Sequence, residues 1–125
     1  MKKELLERYS RQIIIKDIGA LGQKKISSSK ILIIGAGGLG CPVADLLSRA
    51  GVGEIGIVDN DKVTLSNLHR QTIYNHKDID KYKVNVLKEK LKKINSNVKI
   101  KVFKVRITEN NAKDIIKRYD FIVDG

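Results

Sequence analysis

Apolar and polar positions along this chain follow two periods, and the places where one gives way to the other outline its elements. Over Lys3–Ile15, Leu5, Leu6, Tyr9, Ile13 and Ile14 form a rough apolar face at helical spacing and predict one helix. Ile18–Ile26 predicts a second short segment, interrupted by Gly19 and Gly22, with Ser27–Ser29 as the turn out of it. The branched apolar run Ile31–Ile34 predicts a buried strand. Val43, Leu46, Leu47 and Ala50 then recur at helical spacing. Pro42 falls in that helix's first turn, where a missing N–H costs little, and Gly51 is placed to cap its end.

Glu54–Val58 predicts a second strand, closing on Asp59. Tyr82–Ile94 predicts a helix with Val84, Leu87, Leu91 and Ile94 inward and Lys81, Lys88, Lys90, Lys92 and Lys93 on its wet face. After a turn at Asn95–Asn97, Val98, Ile100 and Val102 alternate with Lys99, Lys101 and Phe103 in a third strand, Val98–Val105. Asn111–Tyr119 reads as a short helix with Ala112, Ile115 and Ile116 inward, and Tyr119–Asp124 as a fourth strand.

Strands alternating with helices predict an α/β fold. The expected architecture is a Rossmann-like, mostly parallel sheet in the order third, second, first, fourth. Residues 1–29 form an N-terminal helical arm and residues 30–125 the nucleotide-binding domain. Such an arm has no place in a minimal dinucleotide fold. It either covers a sheet edge or supplies a phosphate-binding arm, with Arg8 and Arg11 close to one side of its helix. The residues that follow a strand's carboxyl end build the site in such folds, yet the fourth strand closes at Asp124. The chain is therefore expected to be one nucleotide-binding half, truncated at its C-terminus.

Charge narrows the partners. Lysine and arginine number 25 against 14 acids, a net charge of +11, which suits an anionic nucleotide or an acidic protein, or simply solvated helix faces. Nucleic acid is disfavoured, because aromatics make up only 5% of the chain and do not interleave with the basic residues. The single cysteine, Cys41, excludes an internal disulfide and reads as a small packing residue. With no secretory leader and no apolar run of bilayer length, a cytoplasmic protein away from membranes is expected.

The chemistry gathers where strands end. Gly35-Ala36-Gly37-Gly38-Leu39-Gly40 spells G-x-G-x-x-G between the first strand and its helix. Gly35 permits a tight turn, Gly37 lets backbone approach a phosphate, and Gly40 lets helix and strand pack closely. Free N–H groups and the positive end of the helix dipole then favour an anion. Asp59 can accept two hydroxyls of a ribose. The polar run Asn60–Gln71 follows at the strand's carboxyl end, and its Arg70 offers a planar fork for phosphate oxygens. Lys83 starts a helix against the dipole, so its position asks for a further reason. These features alone also fit an NAD-dependent dehydrogenase or a nucleotide-binding module without catalysis.

A more specific reading comes from segments taken together. Arg8-Tyr9-Ser10-Arg11-Gln12, the glycine turn, Asp59-Asn60-Asp61, Ser66-Asn67-Leu68-His69-Arg70-Gln71 and Lys83 closely resemble the ThiF/MoeB/HesA family, relatives of ubiquitin-activating E1 enzymes, from Arg8 to Gly125. The resemblance implies an adenylyltransferase that binds ATP with Mg2+. The C-terminal glycine carboxylate of a ubiquitin-like sulfur carrier (ThiS- or MoaD-like) attacks the α-phosphate, giving an acyl-adenylate and pyrophosphate, in thiamine or molybdopterin biosynthesis.

The resemblance also implies roles. Gly35, Gly37, Gly38 and Gly40 form the phosphate turn, Asp59 holds the ribose, and Asn67, Arg70 and Lys83 contact phosphates. Ser66 belongs to the same loop, and Asp61 tunes it or touches metal. Arg11 matches an arginine that reaches the neighbouring subunit's site in the family's homodimers. A carboxylate attacking a polyanion is opposed by charge, so Arg11, Arg70 and Lys83 would act by gathering positive charge around the reacting phosphates. No base is required, and His69 reads as a loop residue. The family's metal-binding aspartate would follow Asp124, so no metal ligand is assigned within these residues, and weak ATP binding is expected of the chain alone. The downstream cysteine and paired C-x-x-C motifs of some members are absent as well.

Overall fold

The computed structural model describes residues 1–125. Four strands, β1 (Lys30–Ile34), β2 (Glu54–Val58), β3 (Lys99–Phe103) and β4 (Phe121–Asp124), form one sheet in the order β3-β2-β1-β4. Every pairing is parallel, with Ile33 level with Ile57 and Val123, and Ile57 level with Val102. Side chains in a strand point alternately to its two faces. Ile33, Ile55, Ile57 and Ile100 therefore share one face, where they meet Val84, Leu87 and Leu91 in a buried core. Those three belong to α5 (Lys83–Ile94), which packs beside α4 (Gly40–Ala50). On the opposite face Tyr119, just beyond the short α6 (Ala112–Ile116), lies against Gly56 and edge-on to Phe103, with ring centroids 6.4 Å apart.

The sheet order and the parallel arrangement are those expected from the pattern, and β2 has the expected bounds. β3 and α6 are shorter than their apolar patterns. In α4 the buried stripe is Cys41, Ala44 and Ser48, whereas Leu46 is 65% exposed. Small residues face inward because the helix starts hard against β1: a Cβ on Gly40 would lie 1.9 Å from the Gly35 carbonyl oxygen. Leu46 points outward, while Val43 and Leu47 pack at the margin of the core.

The arm departs most from its pattern. The expected single helix is two, α1 (Lys3–Arg8) and α2 (Ser10–Ile13), parted at Tyr9, whose backbone leaves the helical region (φ −101°, ψ 10°). That break turns the Tyr9 ring inward to 3% exposure and leaves Leu6 and Ile14 on the surface. Of the two expected interruptions, Gly19 is one, with φ +57° where the preceding turn gives way to α3, whereas Gly22 lies inside that helix, which runs over Gly19–Ser28 and takes in Ser27 and Ser28. A glycine costs an exposed helix about 1 kcal/mol. Docking outweighs it here.

The arm docks beneath the carboxyl ends of α4 and α5. Gln12 and Gln23 both donate to the Ala50 carbonyl, at 3.1 and 3.0 Å, and Arg8 donates to the Ile94 carbonyl at 3.2 Å. Asn95 Nδ2 donates to the Tyr9 hydroxyl and to the Ser48 carbonyl, both at 2.9 Å. Helices that follow parallel strands end where the next strand begins, so this is the amino-terminal edge of the sheet. Of the two roles open to the arm, the structure gives it the covering of this edge in its own chain.

Candidate nucleotide site

The opposite edge, at the strands' carboxyl ends, carries the glycine turn. Gly35 leaves β1 with φ +105°, a conformation that other residues adopt only under strain, and its N–H donates to the Val58 carbonyl at 2.8 Å. Ala36 is fixed at both backbone groups. Its N–H donates to Asp59 Oδ2 at 2.8 Å, while its carbonyl accepts from the Tyr74 hydroxyl at 2.7 Å and from Cys41 Sγ at 3.2 Å. Burial pushes the Cys41 thiol up, against the pull of the Tyr74 hydrogen bond and of the Lys83 charge, and burial holds the Tyr74 hydroxyl far above its ordinary value. Both groups are inert hydrogen-bonders at neutral pH. The turn is thus held from β2, from α4 and from the Tyr74 segment before any ligand arrives.

Asp59 Oδ1 accepts the Asp61 N–H at 2.8 Å, so each carboxylate oxygen has one partner and keeps a free lone pair. That capacity suits a pair of sugar hydroxyls. Gly38 has open space on its side-chain side, as a phosphate cradle requires, and Gly37 faces the Gln71 amide.

The polar run folds into a short 3-10 turn, Leu65–Asn67. Thr64 and Asn67 close it reciprocally, Asn67 Oδ1 accepting the Thr64 N–H at 3.0 Å. This turns Asn67 inward, to 9% exposure. Arg70 remains exposed, with Nη1 donating to the Ser66 carbonyl at 3.1 Å beside the His69 ring. Ser66 is exposed and lies 3.1 Å from the Thr64 hydroxyl.

Lys83 opens α5, its N–H donating to the Asp61 carbonyl at 3.0 Å. The residue is only 6% exposed. Five ion pairs form in the chain and none includes Lys83, nor does its ammonium make a hydrogen bond. The side chain is packed in while its ammonium, at the positive end of a helix, lines a cavity with no anion in the chain to answer it, a place an anionic ligand would fill.

Two cavities meet here. One, of about 540 Å³, is lined by Asn60, Asp61, Lys62, Asn67, Tyr82 and Lys83. The other, of about 440 Å³, is lined by Gly35, Asp59, Asn60 and Asp61 together with Val105, Arg106 and Ile107. The two share Asn60 and Asp61, with Asn67 and Lys83 lining the first and Gly35 and Asp59 the second, so they lie side by side at the strand ends. A larger cavity, of about 570 Å³, lies outside α4 and α5 and touches none of the expected site residues except the neighbour of the turn, Cys41. The strand-end crevice carries the chemistry.

Not every expected residue comes together. Arg11 is exposed on α2, at the arm's edge of the sheet and away from this chain's own glycine turn. Lys90, expected on the wet face of α5, instead donates to the Ile73 carbonyl and, at 2.6 Å, to Asp78 Oδ2, which bolts the segment after the polar run to the helix. Tyr74, Gln71 and Arg106 are site residues that the pattern did not single out. No group of three or more histidine, cysteine or acidic side chains is placed to hold a metal ion. Lys62 and Lys104 flank the Tyr82 ring at 5.1 and 4.0 Å, adding positive charge to the rim.

Comparisons with known proteins bear on this geometry. The profile of the ThiF family matches residues 9–125. The sulfur carrier protein adenylyltransferase of Thermus thermophilus is 42% identical over 123 residues, covering 98% of this chain and 45% of that protein. The adenylyltransferase and sulfurtransferase UBA4 of Debaryomyces hansenii is 46% identical over 119 residues, 94% of this chain and 27% of that protein. The chain thus spans less than half the length of both relatives. Among solved structures, E. coli tRNA N6-threonylcarbamoyladenosine dehydratase in complex with ATP superimposes with a TM-score of 0.92 at 23% identity, covering 99% of this chain and 51% of that one, a likeness of fold. No helix is long and apolar enough to cross a membrane.

Proposed function

We propose, from the premise that this chain belongs to the ThiF family, that it forms the nucleotide-binding part of an ATP-dependent adenylyltransferase. Its substrate in this reading is the C-terminal glycine of a ubiquitin-like sulfur carrier, activated as an acyl-adenylate for thiamine or molybdopterin biosynthesis in the cytoplasm. The observation that carries the reading is Lys83, whose ammonium has no partner in the chain and lines a cavity that shares Asn60 and Asp61 with the one lined by Asp59 and Gly35. Two relatives named as adenylyltransferases support it, and adenylyl transfer requires ATP as donor.

The residues divide the nucleotide between them. Val105 and Ile107 offer apolar walls for the base, and Asp59 receives the ribose hydroxyls. The N–H groups at the start of α4, around the open face of Gly38, bind phosphate with help from Asn67, Arg70 and Lys83. The carrier's carboxylate is nucleophilic at neutral pH. What opposes its attack is charge, and Lys83 and Arg70 offset the negative charge that builds on the α-phosphate and the departing pyrophosphate. Arg11 serves the site of a second copy in a homodimer, in keeping with its exposed place on the far edge. Mg2+ accompanies the triphosphate in this reading, and the side chains present gather no metal-ligand set.

The test is isotope exchange in the full-length protein. Labelled pyrophosphate is expected to enter ATP only when the sulfur carrier is present, and Arg70→Ala is expected to reduce that exchange. ATP binding without exchange, with either class of carrier, would reduce the protein to a nucleotide-binding module. Displacement of ATP by NAD would restore the dehydrogenase.

A further inference from the structure

Buried polar atoms nearly always find a partner within a protein, so each exception asks for a reason. Three side-chain atoms here are buried with none: Ser48 Oγ, Tyr119 Oη and Gln71 Oε1. Ser48 lies beneath α4, and Tyr119 packs against mid-strand Gly56. Only Gln71 faces the glycine turn.

Gln71 is 4% exposed, and neither end of its carboxamide is hydrogen-bonded within the chain. Its main chain is fixed, the N–H donating to the Asn67 carbonyl at 2.9 Å and the carbonyl accepting the Tyr74 N–H at 3.1 Å. Tyr74 in turn holds Ala36. The same short segment therefore fastens the turn with one side chain and aims another at it. A Cβ on Gly37 would touch the Gln71 amide nitrogen at 3.5 Å, so the amide rests on the bare backbone where a phosphate must approach.

We infer that Gln71 is a further phosphate-binding residue at the glycine turn, its carboxamide donating a hydrogen bond to a phosphate oxygen seated over Gly37. The inference rests on the nucleotide-site reading above and extends it to a residue that neither charge nor glycine spacing marks. A carboxamide suits the place. It is neutral and short of a partner at both ends, and rotation about its terminal bond exchanges donor for acceptor without moving the chain. Beside the cations Lys83 and Arg70, it binds oxygen directionally without adding charge that the departing pyrophosphate would have to leave behind.

The test uses Gln71→Met, close in shape and unable to hydrogen-bond, in the full-length protein, with ATP and adenosine affinities measured by calorimetry and thermal unfolding followed in parallel. The expected result is an ATP affinity lower by about tenfold, adenosine affinity within about twofold of the parent, and a melting temperature equal or higher, since a buried unpaired amide has been removed. Gln71→Glu, which sets an anion against the phosphate, is expected to weaken ATP binding further. ATP affinity unchanged in Gln71→Met would overturn the inference while the nucleotide site stands. Equal losses for ATP and adenosine with a lowered melting temperature would overturn it in favour of a packing role. A parent protein that binds neither ligand would remove the nucleotide reading and this inference together.

Discussion

The two edges of the sheet bury their polar side chains on opposite terms, with Ser48 Oγ the one exception at the amino-terminal edge. At the amino-terminal edge, Asn95 is fully buried, and both ends of its amide are answered, by the Tyr9 hydroxyl, the Ser48 carbonyl and the Asn97 N–H. Gln12 and Gln23 are answered by each other and by Ala50. At the carboxyl-terminal edge, Lys83 and Gln71 are buried to a similar degree and answered by nothing in the chain. Polar groups satisfied internally hold the fold together. Groups left unsatisfied at a pre-built turn are kept at a cost in stability, and a ligand accounts for keeping them.

Lys83→Met tests the contrast hardest. If the lysine serves the ligand and not the fold, carrier-dependent pyrophosphate exchange should fall by about 100- to 1,000-fold, the loss typical of removing one preorganised group from a reacting anion. The melting temperature should stay level or rise. A variant that unfolds would mean that both edges are structural, and the distinction would fail.

Asn95→Leu is the converse. It removes donors from the Tyr9 hydroxyl and the Ser48 carbonyl in a fully buried setting, and is expected to cost about 2–3 kcal/mol in denaturant unfolding. ATP affinity of the folded fraction should not change. A loss of affinity at constant stability would mean that the arm's edge and the nucleotide edge are coupled, contrary to their separation in the fold.

The same contrast explains what could be read from the sequence. Strand order, the bounds of β2, the glycine turn and the capping of α4 by Gly51 depend on local period and local backbone needs, which a sequence carries openly. Tyr9 at the break between α1 and α2, Gly22 inside α3 and Leu46 turned outward depend on how the helices dock, which local period does not carry. In the crevice, Asp59 and Lys83 are visible as charged residues in unexpected places. Tyr74 and Gln71 are ordinary residues until tertiary contact sets them on the turn. Lys90 looked solvated because four other lysines share its stretch of helix or its flank, and only the position of Asp78 distinguishes it.

Lys90 and Asp78 also separate location from satisfaction, with the smallest expected effect. The pair lies beyond the polar run and is answered within the chain: Asp78 Oδ2 accepts from Lys90 at 2.6 Å and from the Asn75 N–H at 2.8 Å. Burial alone would raise the Asp78 carboxyl, but the Lys90 and Asn75 hydrogen bonds outweigh it and hold the carboxyl below its ordinary value. A depressed carboxylate contributes stability that is complete above its unfolded value and is lost as pH falls through the folded one, because the unfolded chain binds the proton first. Asp78→Asn should therefore lower stability by about 1 kcal/mol at neutral pH and flatten the acid limb of the stability curve, so that parent and variant converge below pH about 3. ATP affinity at neutral pH should remain that of the parent. If satisfaction rather than location decides which polar groups serve the ligand, Asp78 should behave like Asn95 although it lies five residues before Lys83. Parallel stability curves across the acid range, or weakened ATP binding in the variant, would show that proximity to the crevice is what counts.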